Sequence, residues 1–239
     1  MIALLAFFCS SVNAQDSTRH NTFGVRIGMA GIHIKDEFQS PYTYKGTNFQ
    51  FGLSYVHTTP RHQHEFAVDL LSGHLQSAVS PRGNGQIGFF SYDYFFQKRK
   101  LTHKLDGQLG LGLHAVASRI NYLPEVELPV TYLTAGGFLA LDGRLRYQLS
   151  PRSALELNAS VSTVGVVYRP DFDINGKSST RAAYLGNSLF YTVKVAYVYQ
   201  VNPKLDLTLG YRYQYFTYRE PRPIYLSQHS LYVGVRVKG

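Results

Sequence analysis

The chain has no tryptophan, a single cysteine, and charged side chains at only 16% of its 239 positions. It also lacks any long apolar run. The longest uninterrupted stretch, Met1 to Phe8, falls far short of the roughly 18 residues a membrane-spanning helix needs. Low charge combined with 19 tyrosines and 15 phenylalanines excludes a disordered tail, a coiled coil and a collagenous repeat. The one cysteine, Cys9, lies in the segment Met1 to Ala14, an apolar stretch closing on Val12-Asn13-Ala14, the small-x-small pattern of a signal-peptidase cut. Residues 1–14 are therefore expected to be a signal peptide and 15–239 a single domain. A mature chain starting near Gln15 has no cysteine, and with it no disulfide, thiolate metal site or cysteine nucleophile. The net charge of +9 is untouched by the cut, because the leader carries no charge.

What is present is alternation with period two. In Leu105 to Ser118, Leu105, Leu109, Leu111, Leu113, Ala115 and Ala117 share one parity, while Asp106, Gln108, Gly110, Gly112, His114 and Ser118 share the other. Leu205 to Tyr218 and Asn187 to Gln200 read the same way. Ten such segments are predicted, near 22–34, 47–58, 64–75, 86–97, 104–118, 131–149, 153–168, 187–200, 205–218 and 228–238. They are longer than the five or six residues usual in soluble sheets, and long enough for a tilted strand to cross a bilayer, which takes about nine to eleven. Short connections alternate with long ones. Together these features predict an all-β, antiparallel, up-and-down transmembrane barrel of about ten strands. The even strand count puts both termini on the periplasmic side.

Alternation alone leaves open which face meets lipid, and charge decides it. On the strand near 131–149, Asp142, Arg144 and Arg146 share a parity, and a cation facing lipid at mid-membrane costs about 2–4 kcal/mol. Turned inward, the polar parity supplies Arg26, Arg144, Arg146, Lys194, Arg212 and Arg236 against Asp69, Asp93, Asp106, Asp142, Glu156 and Asp206. That balance predicts a cross-linked, mostly filled lumen. The opposite choice would leave Leu207, Leu209, Tyr211 and Tyr213 in water on strand after strand. Tyr42, Tyr44, Tyr122, Tyr132, Tyr168, Tyr184, Tyr215, Tyr218 and Tyr225 fall toward strand ends, where an aromatic girdle is expected.

Two hairpins repeat one solution: Tyr147-Gln148-Leu149-Ser150-Pro151-Arg152 and Tyr199-Gln200-Val201-Asn202-Pro203-Lys204 each place proline in the turn, followed by a basic residue. With the Gly-rich polar faces and the last strand, Ser230 to Val237, these hairpins resemble small outer-membrane β-barrel proteins of Gram-negative bacteria, particularly the Bacteroidota-type barrels. The resemblance spans nearly all of the mature chain. It implies an outer-membrane location and contacts with outer-membrane lipids and lipopolysaccharide, and it assigns no activity.

Residues that could carry chemistry are few. Asp171-Phe172-Asp173-Ile174-Asn175-Gly176 matches the first half of a calcium loop, so Asp171, Asp173 and Asn175 are calcium-like candidate ligands, yet Ala182 stands where a bidentate Glu is needed. The same run reads as a hairpin tip at Asn175-Gly176. His62-Gln63-His64-Glu65 puts two histidines on one strand face, or is a solvated turn. No His-x-Ser pair of the lipid-hydrolase kind and no Asp-x-His of the omptin kind is present. Arg61, Lys98, Arg99, Lys100, Lys104, Arg152 and Lys204 gather at the short turns, a basic ring suited to phosphates or an acidic partner, while Arg119, Arg169, Arg181, Arg219 and Arg222 could face lipopolysaccharide phosphates. Nucleic acid is not an expected partner, and no organic cofactor is expected. The expectation is a non-enzymatic structural, accessory or adhesive subunit associated with a larger envelope complex. The alternatives are a narrow solute channel and an enzyme of the omptin or lipid-hydrolase type.

Overall fold

The computed structural model describes residues 20–37, 42–78, 83–96, 98–121, 131–169, 179–220 and 222–239. Among the described residues twelve strands follow one another: β1 (His20–Asp36), β2 (Tyr44–Thr58), β3 (Gln63–Leu75), β4 (Gly83–Phe95), β5 (Arg99–Lys100), β6 (Leu105–Asn121), β7 (Thr131–Ser150), β8 (Ser153–Arg169), β9 (Ser179–Tyr184), β10 (Ser188–Asn202), β11 (Leu205–Tyr218) and β12 (Ile224–Lys238). All pairings are antiparallel. The sheet closes because β12 returns to β1, from Thr22↔Lys238 to Asp36↔Ile224, and because β8 pairs β10. Ten strands form the wall. The short β5 only edges β6 and β9 only edges β8. Each of the ten segments read from alternation coincides with one wall strand, whereas β5 and β9 lie in stretches read as connections.

The end carrying His20 and Gly239, called the near end, holds the short connections, and the far end holds the long ones. Closure at the near end extends to the edge of the described residues, with Gly239 N–H donating to the Asn21 carbonyl at 2.8 Å. On β8 a one-residue bulge falls at Thr163, because Leu139 faces Val164 while Ala140 faces Ser162. The Thr163 hydroxyl reaches the Leu139 carbonyl at 3.3 Å. The bulge rephases β8, so Val167 and Arg169 turn inward beyond it. There β10 stops pairing with β8 and β9 takes its place, the Phe190 N–H donating instead to the Ser162 hydroxyl at 2.9 Å.

Outward side chains of the near half are apolar and bare. Leu109 is 73% exposed, Leu231 64% and Leu209 57%, with Phe23, Ile27, Leu53, Leu111 and Val233 among many more. An apolar belt around a whole barrel exceeds the few hundred Å2 that soluble monomers show, and hydrocarbon is the solvent that fits it. The wall is therefore a membrane-spanning one.

The inward face is not uniform, and here the expectation of a polar lumen along every strand needs correction. Ionic side chains dominate the near half, and the far half is mainly apolar, with Asn48, Ser118, Gln214 and Gln228 buried among its apolar side chains. In the far half Ala30, Ile32 and Ile34 of β1, Leu71 and Leu75 of β3, Ile87 and Phe89 of β4, and Val116 and Ile120 of β6 point inward into one apolar core. Phe138, Val167, Phe190, Phe216, Tyr218, Ile224 and Leu226 complete it from the remaining wall strands. Outward neighbours at that level are polar and exposed: His33, Lys45, Thr47, Ser72 and His74. Beyond the lipid belt the strands carry on as an ordinary water-soluble barrel, apolar inside and polar outside. Tyr44 and Tyr218, expected in the aromatic girdle, belong to this core at 2% and 1% exposure, because both sit on inward positions of far strand ends. Tyr184 and Tyr225 do face outward.

Candidate functional site

Beneath the apolar plug, the near half of the lumen holds a cavity of about 320 Å3. Its wall presents seven basic side chains and four acidic ones, so the vestibule is cationic overall. Register explains the first pairs. Arg146 and Glu156 are direct cross-strand partners, and Arg146 Nη1 donates to Glu156 Oε1 at 3.0 Å. From across the lumen, Arg236 Nη2 reaches the other oxygen of Glu156 at 3.0 Å. Arg144 pairs with Glu65, its Nε donating to Asn158 Oδ1 at 2.7 Å and its guanidinium lying 4.1 Å from the Phe95 ring centre. At the mouth, Lys238 holds Asp206 at 2.8 Å and Lys98 holds Asp106 at 2.6 Å. Lys194 also lines the cavity but forms no ion pair among the described residues.

Deeper, Asp69 is the hub of a fully inward cluster. Arg26 grips it with two bonds, Nε to Oδ1 at 2.7 Å and Nη2 to Oδ2 at 2.6 Å. Arg212 Nη1 adds a bond to Oδ2 at 2.5 Å, and Gln50 donates to Oδ1 at 3.0 Å. Arg26 and Asp69 belong to strands two apart, and Gly52 stands between them in register. A side chain at Gly52 would collide with both, so its absence lets the pair close over the intervening strand. Removing one member of such a buried pair leaves the other charge uncompensated, at about 3–5 kcal/mol.

A second cluster sits where polar lumen meets plug. His114 lies between two carboxylates, its Nε2 2.7 Å from Asp93 Oδ1 and 3.4 Å from Asp142 Oδ1. Ser91 donates to the far oxygen of Asp93 at 3.2 Å. Directly above, the Phe190 ring meets the His114 ring edge-on at 6.0 Å and packs among Phe89, Phe138 and Phe216. At the far rim a buried Asp36–Arg169 ion pair closes the plug, Arg169 also donating to the carbonyls of Glu220 and Arg222. Arg169 is thus turned inward and engaged, which corrects its reading as a loop cation for lipopolysaccharide.

The twelve inward ionic residues named from the sequence sort into these groups. Arg26, Asp69 and Arg212 meet at the hub. Arg144, Arg146, Glu156 and Arg236 line the vestibule, with Lys194 beside them. Asp93 and Asp142 flank His114, and Asp106 and Asp206 stand at the mouth. Glu65, in the run His62 to Glu65 that the sequence leaves open between a strand face and a solvated turn, shares the parity of Asp69 and is only 9% exposed. That shared parity was the signal available for it. His62 and His64 point the other way, toward the lipid side, where His64 Nδ1 lies 2.9 Å from the Tyr92 hydroxyl and His62 stacks on Tyr94. The candidate calcium ligands Asp171, Asp173 and Asn175 and the leader 1–14 lie outside the described residues.

No family model matches the chain, and no curated protein matches it either. Solved structures do. Outer membrane protease OmpT from Escherichia coli superposes with a TM-score of 0.60 at 8% identity, over 96% of this chain and 99% of that one. Neisserial surface protein A gives 0.42 at 13% identity, over 90% and 96% of the two chains. A form of the monoaromatic hydrocarbon channel TodX gives 0.39 at 9%, over 93% and 91%. What the chain shares with OmpT at that identity is the fold: an antiparallel β-barrel of the outer-membrane type.

Proposed function

We propose that this chain is an integral protein of the Gram-negative outer membrane and acts as an accessory subunit whose lumen is closed toward the outside and open as a cationic vestibule toward the periplasm. The observation that carries the reading is the division of the lumen: an apolar plug fills the far half and a charged cavity of about 320 Å3 the near half. A packed, mainly apolar constriction obstructs water and ions, which speaks against a solute channel. The side holding His20, Gly239 and the short turns is assigned to the periplasm, the usual arrangement of such barrels. In this reading the network around Asp69, Glu65 and Glu156 braces the vestibule wall, and the excess of basic groups, Lys194 above all, recruits an acidic periplasmic segment of a larger envelope complex. The Pro-basic hairpins support the likeness to Bacteroidota-type barrels.

The test is purification from solubilised envelopes in mild detergent. The unmodified chain should bring down a partner that Lys194→Glu releases. Recovery as a lone monomer, or a complex undiminished in the variant, would overturn the accessory role. A second reading, a peptidase working at the outer rim, takes its support from the fold shared with the protease OmpT. It expects peptide turnover that Asp171→Ala abolishes.

A further inference from the structure

We propose that Asp93, His114 and Asp142 form a binding site for one divalent transition-metal ion at the floor of the vestibule. One ligand atom from each lies within 4.8 Å of the others, and all three residues are buried. Two further observations point to a cation. Asp142 is 6% exposed, and its Oδ2 is wholly buried without a hydrogen-bond partner. A free carboxylate oxygen in that position forfeits both water and protein contacts, a cost a bound cation removes. The second concerns Gly112, which lies beside Asp93 in register. The place where a Gly112 side chain would stand is 2.5 Å from Asp142 Oδ2, 2.6 Å from His114 Nε2 and 2.8 Å from Asp93 Oδ1. Three donor atoms from β4, β6 and β7 therefore converge on space that only glycine leaves open.

Charge and donor type select the ion. With a neutral imidazole the three ligands carry two negative charges, matching a divalent cation. One nitrogen among carboxylates favours the zinc and manganese class over calcium or magnesium, which prefer all-oxygen sets. The basic side chains nearby are not substitutes: Arg144 is engaged by Glu65 and Arg212 by Asp69, and Lys194 pairs with neither Asp93 nor Asp142. A side pocket of about 80 Å3 adjoins the triad and shares Arg26, Glu65, Arg144 and Lys194 with the vestibule, which supplies a route for the ion and room for water ligands. The site stands on these residues alone and does not depend on the accessory role.

The test is titration of Zn2+ into the folded barrel in detergent, followed calorimetrically. The unmodified chain should bind one ion at this site. Asp142→Asn, His114→Gln and Gly112→Ala should each weaken binding beyond the roughly 10–100-fold that loss of an outer-sphere partner costs. His64→Ala, on the lipid side, should leave it unchanged. Absence of binding, or Gly112→Ala and Asp142→Asn chains that titrate like the parent, would overturn the proposal. Zinc X-ray absorption on the unmodified chain needs no variant to fold. It should report a single imidazole nitrogen among oxygens, and two or more imidazoles would move the ion to the outward histidines His57, His62 and His64 and defeat the assignment.

Discussion

Along β1, the near half turns Phe23, Val25, Ile27 and Met29 outward and Arg26 inward, whereas the far half turns Ala30, Ile32 and Ile34 inward and His33 and Lys35 outward. The strand neither breaks nor bulges between the two. Its hydrophobic side simply changes face, and β3, β11 and β12 do the same: Phe66, Val68 and Leu70 give way to Leu71 and Leu75, Leu207 and Leu209 to Phe216, and Val233 and Leu231 to Leu226 and Ile224. The difference shows what the solvent dictates. Within hydrocarbon the outside must be apolar, and the lumen is left to charges that neutralise one another across it. In water the same wall reverts to burying apolar side chains. One half is held mainly by ion pairs and lipid contact, the other by a packed core.

Perturbations should therefore act differently in the two halves. The largest effect is expected at the hub of the polar half. Asp69→Ala strands two buried guanidiniums, Arg26 and Arg212, and should lower stability by about 3–5 kcal/mol, read from denaturant unfolding followed by gel mobility. A loss below about 1 kcal/mol would mean that water, not Asp69, solvates both arginines. In the apolar half, Leu71→Ala should cost about 2–5 kcal/mol by leaving a cavity in the plug, with no change in the ion network. On the outer surface the halves should separate cleanly. Leu111→Arg, within the lipid belt, should cost about 2–4 kcal/mol. Thr47→Arg, on the polar outer face, should stay within about 0.5 kcal/mol. Equal costs at the two positions would place the lipid boundary elsewhere. Smallest of all, Lys98→Ala removes a pair whose lysine is half exposed and should cost less than about 1 kcal/mol in the same assay.

The wall was legible in the sequence because period-two alternation survives in every strand, and charges such as Arg144 and Arg146 settle which face is inside. The plug was harder to see. Ile32 and Ile34 are as apolar as Ile27, and only the shift of parity between Met29 and Ala30 marks the change of solvent. Period two continues on either side of such a shift, so the alternation itself does not reveal it. Glu65 was hidden for a related reason: its neighbours His62, Gln63 and His64 look like a turn, although Glu65 already lies on the strand and on the lumen parity of Asp69. The parity of His114 already turns it toward the acids of the lumen, but its meeting with both Asp93 and Asp142 over the gap at Gly112 comes from the register of β4, β6 and β7, which no local spacing announces. Strand β9 escaped because it pairs only with the far end of β8, beyond the bulge at Thr163.

The sealed far half is the claim on which the rest depends, and single-molecule conductance in planar bilayers addresses it directly. The unmodified barrel, inserted and shown to be folded by its heat-modifiable mobility, should be silent, while a chain with Phe138 and Phe190 both replaced by glycine should show discrete current steps through the opened plug. Discrete steps from the unmodified barrel would contradict the account.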